Sequence, residues 1–263
     1  MIFFGSGQFI TIPVEDSFGN PWATPTPVRL GGLQDISVDI DVDLKTLYGS
    51  QRYPIAVAQG KAKIEIKAKY AEIDGAVLGR LQFGKAPIAG IRAAVYDFAF
   101  LLAAGAEGSN AAVEVIVEPP HDGTFVTDLG VVDGATGGQL ERVPFANDVV
   151  PAAGEYAVLN GKYRFAPSPV ARKFLVSFEY RAESANGRKG QIFELTNDLM
   201  GPTPAFTVLL QNQYGGKNLV MKLNRAVSSK VSLPFKSDDF AVYDLTAQAF
   251  ADEAGSVGYI ALF

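Results

Sequence analysis

Two stretches, LQDISVDIDVDLK at residues 33–45 and KAKIEIKAKYA at residues 61–71, decide the fold of this chain. In the first stretch, every even-numbered residue from 36 to 44 is apolar, and most odd-numbered residues are Asp. In the second stretch, apolar residues alternate with Lys and Glu. Strict alternation over such a length is typical of strands with one buried face and one polar face. The sequence therefore predicts two long amphipathic β-strands.

The charges on these two strands predict how they pair. An antiparallel arrangement sets the acidic row of one strand opposite the basic row of the other, which is favourable across a sheet. Five acidic and five basic side chains then share one polar face: Asp35, Asp39, Asp41, Asp43, Glu65, Lys45, Lys61, Lys63, Lys67 and Lys69. Because the acidic side chains equal the basic ones in number, the lysines are not expected to form a nucleic-acid binding site. The opposite face is expected to pack inward against a short helix at residues 73–83, through Ile36, Val38, Ile40, Ile64 and Ile66.

The connection between the two strands, residues 46–60, is predicted to be a loop, because it is too long for a tight hairpin turn. Loops of this length usually have a function. Its apolar residues are difficult for a lone monomer to cover, so a contact with an adjacent subunit is expected. The residues assigned to this inter-subunit loop are Tyr48, Gly49, Tyr53, Pro54, Ile55 and Val57.

The remainder of the chain is also predicted to be mainly β. Turn residues indicate hairpins at residues 160–161, 214–217 and 252–255. Residues 1–32 are interpreted as an N-terminal arm that Trp22 pins onto the core. The predicted fold is two packed antiparallel sheets, sandwich-like or barrel-like, with a short flanking α-helix and a long β-hairpin. One domain is expected over residues 1–263, with 105–200 as a candidate inserted β subdomain.

Composition and motifs argue against several classes of site: phosphate-binding, thiolate-metal, EF-hand and membrane-spanning. The formal net charge is −5, which does not suit a protein that grips phosphate. Without Cys, thiolate metal sites and disulfides are impossible. The longest apolar run near the centre, residues 98–104, is too short to cross a membrane. Asp39, Asp41 and Asp43 lack the Gly and Glu that an EF-hand loop needs later in its sequence.

No catalytic, metal-binding or cofactor-binding residue is predicted, and the chain is not expected to be an enzyme. The only histidine, His121, follows two prolines and is interpreted as a solvated loop residue. A hydrolase would require a second chemical partner for it. The segment Gly215-Gly216-Lys217 is followed by Asn218 and lies in a predicted hairpin, so it is not a phosphate-binding loop.

Taken together, these segments resemble the tail tube proteins of tailed bacteriophages. The resemblance covers residues 5–84 and 200–263, and the sequence between these regions is also similar in its pattern of residues. Each motif alone is weak, and the resemblance depends on the order of the motifs along the chain. The motifs are LQDISV at 33–38, LYG at 47–49, YPIAVA at 53–58, GKAK at 60–63, KAKYA at 67–71, DLGV at 128–131, GKYRF at 161–165, VSFEY at 176–180, YGGK at 214–217, DDF at 238–240 and ADEAGSVG at 251–258.

The resemblance implies a structural role in the virion tail, for a protein made in the host bacterial cytoplasm. Members of that family form hexameric rings that stack into a hollow tube for DNA ejection. Implied partners are further copies of the chain, other tail proteins such as tape measure, sheath or terminator, and DNA in transient passage, without a membrane. The polar-face residues Asp35, Asp39, Asp41, Asp43, Lys61, Lys63, Lys67 and Lys69 would line the lumen. Related secretion-system and tailocin tubes stay open, as does a β-sandwich binding or adhesion module of the tail tip.

Overall fold

The computed structural model describes residues 5–72, 75, 77–104, 111–146, 150–183, 190–197, 200–235 and 237–263. The protein is mainly β, with 58% strand and 4% helix in packed and mostly antiparallel sheets, which confirms the predicted fold class. The chain forms two compact units rather than one domain: unit 1 comprises Met1–Pro87 and Phe193–Phe263, and unit 2 comprises Ile88–Ile192.

The strands are, in chain order, β1 (Gln8–Glu15), β2 (Val28–Arg29), β3 (Leu33–Tyr48), β4 (Pro54–Tyr70), β5 (Ile88–Ala89), β6 (Ile91–Leu102), β7 (Val113–Ile116), β8 (Thr124–Asp133), β9 (Glu141–Val143), β10 (Glu155–Leu159), β11 (Lys162–Phe165), β12 (Arg172–Ala182), β13 (Gln191–Ile192), β14 (Ala205–Tyr214), β15 (Lys217–Ser232), β16 (Tyr243–Phe250) and β17 (Gly258–Leu262). Two helical turns, Val77–Gln82 and Pro120–Asp122, accompany them.

Unit 1 contains an eight-stranded antiparallel sheet in the order β2-β1-β14-β15-β16-β4-β3, with β17 paired to β15. The predicted hairpin at residues 214–217 is confirmed, because Tyr214 pairs with Lys217. The predicted hairpin between β16 and β17 is wrong, because both strands pair with β15. The carboxylate of Asp252 accepts the backbone N–H of Ser256 and the side-chain amide of Asn224, each at 2.8 Å. These bonds fold residues 251–257 into a turn, after which the chain continues along β15.

The sheet of unit 1 curves, because one cleft is lined by residues of β3 together with residues of β1, β14 and β15. Ile36 and Val38 pack against the buried core that contains Phe9 and Phe206. The hydroxyl of Ser6 donates a hydrogen bond of 2.8 Å to the carbonyl of Leu33, which joins the beginning of β3 to the segment before β1. The interpretation of residues 1–32 as an arm is therefore wrong for β1, which lies between β2 and β14.

The turn Val77–Gln82 packs Val77 and Leu81 into the same core, but it is not the predicted α-helix. The N–H of Phe83 donates to the carbonyl of Leu78, which is the five-residue spacing of a π-helix. A side chain at Gly79 would collide with the ring of Phe193, so the close approach requires glycine there. Part of the predicted helix, residues 73, 74 and 76, lies outside the described residues.

The predicted core face of the long hairpin is correct only at its base. Ile66 is 1% exposed and Ile36, Val38 and Ile64 pack against the core, whereas Ile40 is 54% exposed. The inward role predicted for Ile40 is therefore wrong. The reason is that β4 has β16 beside it only from Ile64 to Tyr70, so the sheet that backs the hairpin ends there.

Unit 2 has its own core between a four-stranded sheet, β7-β11-β10-β9, and a three-stranded sheet, β6-β12-β8. The pair β9–β10 is parallel and the others are antiparallel. The predicted hairpin at Asn160-Gly161 is confirmed, and both residues have the positive φ that such a turn requires. The unit begins at Ile88 rather than near residue 105, because β6 pairs along its length with β12.

Aromatic side chains fill the core of unit 2, with the rings of Phe165 and Phe174 stacked at 4.6 Å. The carboxylate of Asp128 is 3% exposed and accepts hydrogen bonds from the hydroxyls of Tyr156 and Tyr163, at 2.7 and 2.8 Å. Burial, and secondarily the bond to Asp128, raises the pKa of both tyrosines well above the ordinary value of 10.0. This cluster joins β8, β10 and β11.

We expect the substitution Ile66→Ala to lower the free energy of unfolding of unit 1 by about 2–5 kcal/mol, because it leaves a cavity in the core. The matched control, Ile40→Ala, should change it by less than about 0.5 kcal/mol, as expected for a surface position. Urea unfolding followed by circular dichroism measures both values. Equal losses for the two variants would show that the arm is covered within the monomer.

Alkaline pH should destabilise unit 2 through Tyr156 and Tyr163. Unfolded tyrosines lose their protons near pH 10, while the folded ones retain them, so the free energy of unfolding falls as pH rises above about 10. The variant Tyr156→Phe/Tyr163→Phe should be less stable at neutral pH but lose stability less steeply above pH 10. Urea unfolding at a series of pH values measures the slope. Parallel slopes for variant and native protein would contradict the role of the two phenols.

Candidate functional site

The long hairpin of β3 and β4 is the candidate site. Its pairing extends from Leu33 opposite Tyr70 to Tyr48 opposite Pro54. The prediction of a loop over residues 46–60 is therefore wrong, because both strands continue through it and only residues 49–53 form the connection. Thr46 opposite Val57 and Leu47 opposite Ala56 extend the ladder, and the β-branched Thr46 and Val57 are residue types that favour strands.

The distal half of this hairpin projects beyond the sheet. All residues from 40 to 63 are exposed, on both faces of the two strands. We call residues 40–63 the arm. A two-stranded hairpin without further cover is marginally stable by itself in water. The arm is therefore a two-stranded ribbon that no other described strand covers.

A β-bulge places Val57 on the same face of the arm as Val42 and Leu44. Val42 lies opposite Ala62, but Leu44 lies opposite Gln59, so β4 holds one extra residue near Gly60. Directly opposed residues share a face, and Val57, opposite Thr46, thus lies on the face of Val42 and Leu44. Without the bulge, Val57 would lie on the face of the aspartates.

The six residues assigned to an inter-subunit contact all lie at the distal end of the arm. Tyr53 and Ile55 are 76% and 71% exposed, and Tyr48 and Val57 are also largely exposed. Pro54 begins β4 and Gly49 follows the end of β3. The side chain of Ile55 lies against Gly49. The structure therefore places these residues together, at the tip of a hairpin instead of in an irregular loop.

Two apolar clefts open at the base of the arm. Cleft 1, of about 290 Å³, is lined by Ile40, Ile64, Met221, Leu223, Val257 and Ile260 among others. Cleft 2, of about 220 Å³, is lined by Ile36, Val38, Leu210, Leu219 and Met221 among others. Ile260 of β17 pairs with Met221 and is 54% exposed on the same face. An apolar surface thus continues from the core to the arm.

The opposite face of the hairpin carries the charged residues predicted from the sequence. Asp35 lies opposite Lys69 and Asp41 opposite Lys63, as predicted. Asp39, however, lies opposite Glu65. The prediction that every acidic residue lies opposite a basic one is therefore wrong at this pair. The like charges face each other because the register aligns Ile40 with Ile64. Asp43 and Lys61 lie beside the bulge, so the predicted set is distributed along the hairpin and not gathered at one point.

Lysines compensate for the two facing carboxylates. The ammonium of Lys67 lies 3.2 Å from Asp39 and 3.5 Å from Glu65, and Lys63 lies 2.6 Å from Glu65. The hydrogen bond to Asp39 raises the pKa of Lys67, and the bond from Lys63 lowers the pKa of Glu65. Both groups therefore stay charged at neutral pH, and each of the two facing carboxylates has a lysine ammonium within 4 Å.

The described residues present little catalytic chemistry. His121 is exposed in the turn Pro120–Asp122, with its ring 6.3 Å from that of Tyr180. In the described ranges, no group of three or more His, Asp or Glu side chains is placed to hold a metal ion. Among the helices of that same part of the chain, none has the length and apolarity needed to cross a bilayer.

Sequence reasoning missed two further features of unit 1. The predicted hairpin at residues 252–255 does not reveal that Ile260 lines cleft 1. The predicted strands do not reveal that Phe235 and Phe240 are almost fully exposed. The aromatic pair lies in a connection with Pro234 and acidic neighbours, which is a signal for exposure that the pattern of strands does not reveal.

Comparison with known proteins adds no relative: no protein-family model matches the chain, and a search of curated proteins gives no significant match.

Proposed function

We propose that this protein is a virion structural protein that assembles into stacked rings and forms the tail tube through which DNA leaves the particle. The observation that carries the proposal is the arm, whose apolar face is exposed over residues 40–63. A stable monomer gains nothing from such a face, whereas a polymer buries it. The resemblance to tail tube proteins suggests that this polymer is a tube of stacked rings.

The open edges of the sheet support the same proposal. Among the described strands, β3 pairs only with β4, so its outer edge presents unpaired backbone groups. An edge of this length is a template for pairing with another chain. Closing the strands of several copies into one barrel removes such edges, and further copies of this chain are the simplest partner.

The charged face of the hairpin suits the lumen. If the apolar face is covered by neighbouring copies, alternation leaves the face of Asp39, Asp41 and Lys67 for the channel. Its five acidic and five basic side chains balance in number, and the overall charge of −5 gives DNA no net attraction. A conduit that does not hold phosphate favours rapid passage.

Unit 2 supports a second candidate function, a binding or adhesion module of the tail tip. It has a separate core, and the edge strand β6 exposes Tyr96 and Leu101, which are 73% and 71% accessible. Negative-stain microscopy of the purified protein separates the two candidates. Rings or tubes support the tail tube, whereas dispersed monomers support the binding module.

Replacing the apolar face of the arm should abolish polymerisation. In the variant Val42→Ser/Leu44→Ser/Val57→Ser, the fold of unit 1 should persist, because these side chains are exposed and contribute nothing to its core. Rings and tubes should disappear from electron micrographs. A matched control on the other face, Asp41→Ser/Lys45→Ser, should leave them intact. Tubes from the apolar variant would contradict the role of the arm.

Removing the acidic row should slow DNA passage. In Asp39→Asn/Asp41→Asn/Asp43→Asn, Lys67 loses the carboxylate of Asp39 and the polar face becomes more positive by three charges, so its lysines should attract phosphate. Particles with this variant should assemble and eject DNA slowly at low salt, with recovery at high salt because phosphate contacts are screened. The control Asp238→Asn/Asp239→Asn lies outside the hairpin. Ejection at the native rate in low salt would exclude the lumen assignment or the influence of its charge.

A further inference from the structure

The segment before β1 lies at the edge of cleft 2. Ser6 and Gln8 line this cleft together with its apolar residues. The side-chain amide of Asn212, which also belongs to the cleft wall, donates a hydrogen bond of 2.7 Å to the carbonyl of Gly5. The hydroxyl of Ser6 donates to the carbonyl of Leu33 at 2.8 Å. Residues 5 and 6 are therefore held between β14 on one side and β3 on the other.

Gly7 keeps the chain close to the cleft wall. Its φ of +72° lies in the left-handed region, and a side chain there would collide with the backbone carbonyl of Gln211, which also lines cleft 2. The close approach of the two backbones thus requires glycine. Contacts on both sides of Ser6 consequently fix the path by which the chain reaches the cleft.

Cleft 2 is an apolar depression that a single ring would fill. Its volume is about 220 Å³, and its apolar walls are Ile36, Val38, Leu210, Leu219 and Met221. An apolar cavity of about 150 Å³ is large enough to hold a benzene molecule. Walls that face no partner atoms lose the dispersion contacts that a packed core provides. An aromatic side chain is therefore the occupant that suits this cleft in size and polarity.

The sequence next to Gly5 supplies such a side chain. Residues 1–4, which lie outside the described residues, read Met-Ile-Phe-Phe. The Cα atoms of consecutive residues are about 3.8 Å apart, so Phe4 begins within that distance of a residue that is bonded to the cleft wall. Its ring can enter cleft 2 without any change in the path of residues 5–7.

We propose that the ring of Phe4 occupies cleft 2 of its own copy, so that the N-terminal segment covers the apolar opening between β3 and β14. A group joined by so short a segment has an effective concentration in the millimolar range, which favours it over a second molecule. The inference concerns a single copy and does not depend on the proposed function. If cleft 2 is filled in this way, the arm and cleft 1 remain as the apolar surface for another copy.

The first test is photochemical crosslinking of the full chain with p-benzoylphenylalanine in place of Phe4. After irradiation and digestion, mass spectrometry should find crosslinks to Leu210, Leu219 or Met221. A mixture of isotope-labelled and unlabelled protein distinguishes crosslinks within one chain from crosslinks between two. The same reagent in place of Phe18, which is 65% exposed, is the matched control and should not reach these residues.

Crosslinks within one chain support the inference. Crosslinks to the same residues that form only between labelled and unlabelled chains overturn it, because a second copy then supplies the ring. Crosslinks confined to residues outside cleft 2 overturn it as well. None of these readouts requires rings or tubes, so the inference and the proposed function can fail independently.

The second test measures the thermal stability of unit 1. Trp22 is the only tryptophan of the chain and lies in this unit, so its fluorescence follows the unfolding of unit 1. The variant Phe4→Ser should lower the melting temperature by roughly 3–10 °C, because a buried ring is lost. The control Phe18→Ser removes an exposed ring and should change it by less than about 1 °C. Equal shifts for the two variants would contradict burial of Phe4.

A double-mutant cycle identifies the cleft as the place where Phe4 is buried. Leu219→Ala shortens one wall of cleft 2, and residues in contact show non-additive effects on stability. The shift caused by Phe4→Ser should therefore be at least halved when Leu219 is already alanine. Additive shifts, measured through the fluorescence of Trp22, would show that Phe4 contacts another part of the molecule and would overturn the inference.

Discussion

The structure depends on the pairing of β3 with β4, of which only the proximal half is backed by β16. Where β16 lies beside β4, the hairpin joins an eight-stranded sheet and its apolar residues enter the core, as Ile66 does at 1% exposure. Beyond Ile64 the ladder between the two strands continues but the cover is absent within the described unit. The same alternation of side chains therefore produces a core at one end and an exposed apolar surface at the other.

Two local features, a β-bulge and a hydrogen-bonded turn, determine which side chains contribute to this apolar surface. The bulge near Gly60 shifts the register by one residue, which places Val57 with Val42 and Leu44 and leaves the aspartates and lysines on the other face. The turn held by the Asp252 carboxylate lets β17 follow β16 along β15, so that Ile260 joins Met221 beside the base of the arm. Sequence features that are far apart thus meet to form cleft 1.

Unit 2 relies on a different principle. Its core is built from stacked aromatic rings, and the buried carboxylate of Asp128 joins the hydroxyls of Tyr156 and Tyr163. The unit contains its own sheets and closes upon itself through the pairing of β5 with β13 at its two ends. Unit 2 therefore has its own core and its own sheets, separate from the eight-stranded sheet of unit 1.

Much of the fold is predictable from the sequence, because period-two alternation and Asn-Gly or Gly-Gly turns act locally. The strands at residues 33–45 and 61–71, the mainly β class and two of the hairpins follow from these patterns. The sequence also defines which residues share the polar face of the hairpin. The sequence does not show where the neighbouring strand β16 stops covering the hairpin. Ile40 and Ile66 therefore occupy equivalent positions in the alternating pattern, although Ile40 is exposed and Ile66 is buried.

Only the tertiary structure decided the remaining features. The continuation of both strands through residues 46–60, the attachment of β17 to β15 and the π-helical turn depend on contacts between residues distant in the chain. The clefts and the exposure of Phe235 and Phe240 depend on them as well. A local pattern specifies which side of a strand is apolar, because alternation is a property of neighbouring residues. Whether that side is buried depends on which strands lie opposite, and this is a property of the whole sheet.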